Sequence, residues 1–483
     1  MQKISPQSCQ TKILTFNHLM RANYELAGPF LLKCPKNDFL IIRVLRHLPG
    51  SRLTALIDIE GQEVLLKLFY GGFLKHIRHA WREGSGYRKL ATNNFLTPKL
   101  QNLQYHAQYA YAMFDYLSQA EVFQDCWLSS SFQKQHLLLI ELVKFMARMH
   151  MAGLMHRDLH FKNFLIDKGQ LYVIDMAAIM GHGKPALSKT KSIQNIGLLF
   201  AQIKRHQKSL LEVLFNTYLK HRNWTALSKK HLLQQRWEHE TKVLKRTMRN
   251  CSDYHKSNSF FWAMIVVRAT LTINNQQLLQ GLLLDNNHQP KRYFKQGNST
   301  TLWQSHLGVQ KIIIKRYNIK HFWHAMKRAL RPSRAANSWR FGHFLQYQAI
   351  ATPMPIAFAE KRFGWLRGQA YLIYQYQSGV NLAEYLQNYD AKDDQWQLII
   401  RQVVLLLRRL ADAQLIHGDL KATNFLVEEQ CVYMLDLDSM TRISSLRRWK
   451  RKWQKERKRF LANFVEDDKI RAYCLEALQQ VDL

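Results

Sequence analysis

The chain has 483 residues, room for two domains of ordinary size that each bury a core. Its 47% hydrophobic and 12% aromatic content excludes a disordered chain, and its longest apolar run, 260–267, falls far short of the roughly 20 residues that a membrane-spanning helix needs. Lys and Arg number 70 against 35 Asp and Glu, a net charge of +35, which draws such a chain toward a polyanion: nucleic acid, an anionic membrane surface or an anionic substrate.

The amino terminus carries no apolar segment of the signal-peptide kind, so a secretory signal is not expected. The six cysteines (Cys9, Cys34, Cys126, Cys251, Cys431, Cys474) are scattered without a Cys-x-x-Cys pair, which predicts reduced thiols in a cytosolic protein. The first landmark in chain order is Leu48-Pro49-Gly50-Ser51-Arg52, a turn where a phosphate-covering loop belongs, although it is not G-x-G-x-x-G. An ordinary hairpin turn is the alternative. An apolar strand is predicted over 64–69 and ends with Lys67 among its last residues. The helix predicted over 75–90 holds one acid, Glu83, the natural carboxylate to hold Lys67.

A second helix follows, with Leu139, Leu142, Val143, Met146 and Met149 on one face and Gly153 at its end. Directly after it comes His156-Arg157-Asp158-Leu159-His160-Phe161-Lys162-Asn163-Phe164-Leu165. Two short apolar runs, 164–166 and 171–174, flank the turn residues Asp167-Lys168-Gly169 and lead to Asp175. Residues 186–250 read as helical, polar and basic, and the Ser/Asn-containing stretch 251–258 reads as a boundary, giving domains 1–255 and 256–483.

The same order then returns. Gly297-Asn298-Ser299-Thr300-Thr301 stands in the loop position, and Lys315 lies late in the apolar strand Ile312-Ile313-Ile314. The stretch 331–348 corresponds to the Glu83 helix but has no Asp or Glu, with Ser338 opposite Glu83. Lys315 is therefore left either unpaired or with a partner from another element. A periodic helix (Trp396, Ile399, Ile400, Val403, Leu406, Leu410) precedes His417-Gly418-Asp419-Leu420-Lys421-Ala422-Thr423-Asn424-Phe425-Leu426, and Asp436 closes the following hairpin. In both copies Asn lies five residues after the first Asp, and the second Asp twelve residues after Asn.

Phosphoryl transfer from ATP calls for these groups: one Asp to orient or deprotonate the acceptor hydroxyl, then an Asn and a second Asp to hold Mg²⁺. Asp158 and Asp419 are thus the candidate catalytic carboxylates. Asn163, Asp175, Asn424 and Asp436 are the candidate metal ligands, and Lys67, Glu83 and Lys315 the candidate ATP-binding residues. Any one of them alone could be a turn or cap residue. Two copies with equal spacing predict an α+β chain of two tandem protein-kinase-like domains, each with a small β-rich lobe and a helical lobe. Neither Asp175-Met176-Ala177 nor Asp436-Leu437-Asp438 is D-F-G, and no A-P-E follows, which points away from peptide substrates.

With Pro49-Gly50-Ser51-Arg52, Lys67-Leu68-Phe69, Arg82-Glu83 and Asn195-Ile196-Gly197 in one half, and Lys315-Arg316-Tyr317-Asn318, Ser338-Trp339-Arg340 and His417-Gly418-Asp419 in the other, the chain resembles the lipopolysaccharide core heptose/Kdo kinase family. The resemblance implies ATP and Mg²⁺, a core glycolipid as substrate, and peripheral work at the cytoplasmic face of the inner membrane. Nine Lys or Arg within 447–459, interleaved with Trp449 and Trp453, then read as a helix for an anionic membrane surface, the alternative being a solvated basic helix with packed tryptophans. Two rival classes stand beside this one. The first is a protein kinase or regulatory module with one pseudokinase half. The second is a nucleic-acid-binding protein, which only the net charge suggests and no recognition motif supports, so no nucleic-acid partner is expected.

Overall fold

In the computed structural model the described residues are 12–22, 26–72, 74–225, 229–270, 279, 281, 292–318, 331–388, 395–464 and 468–479. The fold is mixed α+β and divides into two compact units, residues 1–203 with 209–236, and residues 204–208 with 237–483.

The first unit opens with a seven-stranded sheet ordered Ile13–Thr15, Phe30–Lys33, Asp38–Leu48, Arg52–Ile59, Gln62–Tyr70, Tyr109–Asp115, Leu100–Tyr105. Only its first pair is parallel. In Gln62–Tyr70 the side chains alternate. Val64, Leu66 and Leu68 enter a core on one face of the sheet, while Leu65 and Phe69 join a second core on the other face, the face Lys67 shares by parity. The helix Lys75–Thr92 packs against the sheet and against the turn Met176–Ala178. The helices Phe123–Ser129, Phe132–Met151 and Lys189–Phe200 surround the strand Leu154–His156 and the hairpin Phe164–Asp167 with Gln170–Val173.

The second unit repeats this plan. Its seven-stranded antiparallel sheet runs Tyr254–Asn258, Trp262–Val267, Pro355–Phe363, Leu366–Gln375, Gln310–Tyr317, Thr300–Leu307, Arg292–Gln296. The helix Arg334–Tyr347, capped by the Ser333 side chain, packs on the sheet face of Tyr317 and Leu372. The helix Gln395–Asp412 and the hairpin Phe425–Glu428 with Cys431–Met434 follow.

The division between the compact units falls at Arg236 and Trp237, inside the helix Lys229–Arg246. The cause is Glu240, fully buried, which takes a bidentate pair from Arg205 and a further bond from Arg442; Leu244 on the same helix lies in the second unit's core. The basic helix Leu446–Leu461 follows the second of its two sequence readings, packed tryptophans under a solvated basic face. Trp449, Trp453, Glu456 and Phe460 recur at helical spacing and are buried, and the Trp449 indole donates to Leu415 O at 3.1 Å. Its tryptophans are core residues and do not face an interface. The cations on its outer side remain exposed. No described helix is long and apolar enough to cross a membrane.

Candidate active sites

In the first unit Lys67 Nζ donates to Glu83 Oε1 at 2.9 Å. Glu83 is fully buried: burial pushes its pKa up, the nearby Lys67 ammonium counters this, and the charge of Asp175 adds to it. Asp175 is therefore close to the pair. What brings it there is Gly86, one helical turn beyond Glu83: a Cβ at this position would lie 1.8 Å from Met176 O, so only glycine lets the helix touch the turn that follows Asp175. Asp175 itself sits in the left-handed region at φ 59°; its carbonyl accepts from Ala178 N at 3.0 Å, while its carboxylate caps no backbone N–H of the turn that follows.

The loop carrying Asp158 is tied down from both sides. Asn163 Nδ2 donates to Asp158 O at 2.7 Å, and Ile174 N donates to Asn163 O at 3.0 Å. His156 is buried beside Ile174 O, and burial lowers its pKa although Asp175 and Asp158 oppose the shift. Five of the residues singled out in the sequence, Lys67, Glu83, Asp158, Asn163 and Asp175, thus surround one site. The Asp158 side chain is 69% exposed, with His160 Nε2 3.5 Å from Oδ2.

The second unit builds the same loop with different charges. Asn424 Nδ2 donates to Asp419 O at 2.7 Å, Leu435 N to Asn424 O at 2.8 Å, and Asp436 is again left-handed at φ 56°. Lys315, without a helix acid, donates to Asp436 Oδ1 at 2.7 Å. Lys315 is thus paired, and its partner is a candidate metal ligand. Burial works against its charge, but Tyr317, Asp436 and Tyr374 outweigh burial and raise its pKa. Burial likewise pushes Asp436 up, and Lys315 more than reverses this, leaving its pKa low. Where the first unit has Glu83, Ser338 Oγ meets the Tyr317 hydroxyl at 3.0 Å, a neutral pair in place of an ionic one. A cavity lined by Lys315, Tyr317, Ser338, Thr352, Tyr374 and Asp436, among others, lies at this point.

Each loop expected to cover phosphate lies between the two strands that precede the lysine strand. In the first unit Gly50 is left-handed and Ser51 N donates to Leu48 O at 3.1 Å; in the second Gly297 N donates to Thr300 O at 3.0 Å. Both are tight turns, as the alternative had it, in the place a phosphate loop would occupy.

Several residues escaped the sequence. Glu456, the only acid in its basic helix, is buried and accepts from His417 N at 2.9 Å and Gly418 N at 3.0 Å, clamping the Asp419 loop from beneath. In the first unit neutral groups do this: Asn195 Nδ2 donates to His156 O at 2.8 Å, and His150 bridges Asn195 Oδ1 and the Tyr218 hydroxyl. Lys421 reaches Asp419 Oδ2 at 2.9 Å, and Arg459 bonds Gly418 O at 2.8 Å beside the same carboxylate. Asp438 is held by Arg334, and burial together with Asp436 raises its pKa. The one prior signal was a lone glutamate among cations at 456.

For a divalent cation, the donors in each unit are an amide oxygen and a carboxylate. Asn163 and Asn424 spend their NH₂ groups on the loop, which turns the Oδ1 atom to the other side. Asp175 is unclaimed, whereas Asp436 shares an oxygen with Lys315, so the first set fits Mg²⁺ as it stands and the second fits once the lysine moves. No group of three or more His, Cys, Asp or Glu placed to hold a metal ion occurs among the described residues. Compared with known proteins, residues 288–471 match the lipopolysaccharide kinase (Kdo/WaaP) family, and no curated protein matches the chain.

Proposed function

We propose that this protein is a phosphotransferase that moves the γ-phosphoryl group of ATP to a heptose or Kdo hydroxyl of the lipopolysaccharide inner core, a reading supported by the match of residues 288–471 to the lipopolysaccharide kinase (Kdo/WaaP) family. We further propose that both units are protein-kinase-like, and that the work is done peripherally at the cytoplasmic face of the inner membrane. The observation that carries the reading is the loop shared by the two units, in which Asn Nδ2 holds the carbonyl of the Asp five residues before it at 2.7 Å. That bond ties a carboxylate that would face the acceptor and an amide oxygen that would face the metal to one short turn.

Asp158 and Asp419 would orient the attacking hydroxyl and take its proton as the new P–O bond forms and ADP leaves. Lys67, aimed by Glu83, would steady the α- and β-phosphates. Lys421, beside Asp419, stands where it would meet the transferred group. Mg²⁺, when bound, neutralises charge on the phosphates; Asn163 with Asp175, and Asn424 with Asp436, would hold it.

The test is phosphate incorporation into purified core oligosaccharide, read by mass spectrometry, with peptide and RNA as competing acceptors. In an Asp419→Asn background, Asp158→Asn should keep fold and ATP binding while lowering the first unit's turnover by orders of magnitude. Phosphorylation of peptide in preference to the sugar would reject the reading. Full activity in Asp158→Asn with none in Asp419→Asn would move the reaction to the second unit.

A further inference from the structure

We infer that the second unit's sheet ends in an aromatic tip that inserts into an anionic phospholipid bilayer. Two turns lie side by side there. In the first, Ser259 N donates to Trp262 O at 2.7 Å, which leaves Phe260 and Phe261 at the two corners. In the second, Phe363 pairs with Leu366 across Gly364 and Trp365, and Gly364 takes φ +60° as such a tight corner requires. Backbone bonds lock the turns together: Gly364 N to Phe260 O at 2.9 Å and Arg362 N to Phe261 O at 2.7 Å. Phe260 meets Phe261 and Phe363 with ring centroids 5.1 and 5.0 Å apart.

Turn corners normally carry Gly, Asn, Asp, Pro or Ser. Phe260, Phe261, Phe363 and Trp365 are instead 54%, 60%, 64% and 73% exposed. At roughly 200 Å² per ring side chain this leaves on the order of 500 Å² of aromatic surface in water, the size of patch that marks an interaction site.

The surroundings select the partner. Behind the rings stand Lys256, Lys361, Arg362 and Arg367, and the one acid in either hairpin, Glu360, is buried and paired to both arginines. Aromatic rings ahead of a collar of cations fit the headgroup layer, the rings at the acyl boundary and the cations on lipid phosphates. This surface stands in for the interfacial role that the buried Trp449 and Trp453 cannot fill. It rests on the phosphotransferase reading only in that a lipid-anchored acceptor would make it useful.

The full chain is tested by flotation with vesicles of phosphatidylcholine alone and of phosphatidylcholine mixed with phosphatidylglycerol. The protein should bind the mixed vesicles. Phe260→Ser/Phe261→Ser/Trp365→Ser should weaken binding at least about tenfold, while Leu at the same positions retains most of it. ATP consumption without vesicles should be the same in all three proteins, which keeps a failure of this inference distinct from a failure of the phosphotransferase reading. Undiminished binding by the Ser variant, or no binding by the wild type, overturns the proposal. So does a wild-type dimer that the Ser substitutions convert to monomer in light scattering, since the tip would then pair with a second copy of the chain.

Discussion

Replacing Glu83 by Gln should make the first unit's lysine behave like the second's. The Lys67–Glu83 pair at 2.9 Å carries a gross attraction of about 6 kcal/mol at an effective dielectric of 20, much of it cancelled by desolvating two charges. Glu83→Gln keeps the shape and removes the charge. Lys67, still mostly covered, should then turn to Asp175, whose charge already acts on Glu83, as Lys315 takes Asp436 at 2.7 Å. Stability should drop by only about 1–2 kcal/mol, because the lysine re-pairs. Mg²⁺-dependent ATP binding should weaken at least about tenfold (roughly 1.4 kcal/mol), since the metal must now displace an ammonium from its ligand. Lys67→Met is the contrast. It strands a fully buried carboxylate and should cost about 3–5 kcal/mol. With its counter-charge gone, Glu83 should have a still higher folded pKa than unfolded, so that stability is retained at low pH and lost as pH rises. The assay is calorimetry of MgATP binding in an Asp436→Asn background, which removes the second unit's metal ligand, beside urea unfolding of each variant. Unchanged MgATP affinity in Glu83→Gln would refute the argument that Asp175 must be kept free of the lysine.

Glu456→Gln should lower second-unit stability by about 1.5–3 kcal/mol and reduce phosphorylation that depends on Asp419, because His417 N and Gly418 N each bond a different carboxylate oxygen and one of these becomes an NH₂ group that cannot accept; activity dependent on Asp158 should be unchanged. Gly86→Ala should cost about 1–3 kcal/mol although alanine is the better helix former, since its Cβ would sit 1.8 Å from Met176 O; denaturant midpoints would show the opposite sign if the contact were soft. Burial pushes His150 down to about 4 and His343 down to about 3, so each stays neutral in the folded chain while the unfolded chain takes up a proton below about 6.5. Stability should therefore fall as pH drops through 6.5, by about 1.4 kcal/mol per histidine at pH 5.5, and a flat profile between pH 7.5 and 5.5 would exclude neutral burial.

The repeated spacing was readable in the sequence because local bonds set it. Asn163 reaches back to Asp158 O and is itself met by Ile174 N, so neither the five-residue nor the twelve-residue interval can change without breaking a hydrogen bond. Lys67 and Glu83 were readable for a similar reason, a strand and the helix after it with one acid to choose. The partner of Lys315 was not, since 121 residues separate it from Asp436 and only the folded sheet brings them together. Glu456 was hidden by its neighbours, and the two tryptophans were left between two readings: nine cations in thirteen residues read as a surface, yet one narrow stripe of that helix is entirely buried. Composition averaged over a helix cannot separate its faces, and the stripe's period of three and four residues can.

The two units therefore use one backbone plan with two allocations of charge. In the first, lysine is held by a helix glutamate, the metal-side aspartate is unclaimed, and amides anchor the loop from below. In the second, lysine occupies the metal-side aspartate, and a carboxylate anchors the loop. An ion held by Asn424 and Asp436 would compete with Lys315, and the displaced ammonium would be available to the phosphates of a nucleotide. Nucleotide and metal should consequently bind the second unit together and poorly apart, whereas the first unit's pair is formed before either arrives. The Tyr317–Ser338 pair is what permits this difference: a neutral hydrogen bond fills the space of the ionic one without offering Lys315 a second charge to rest on.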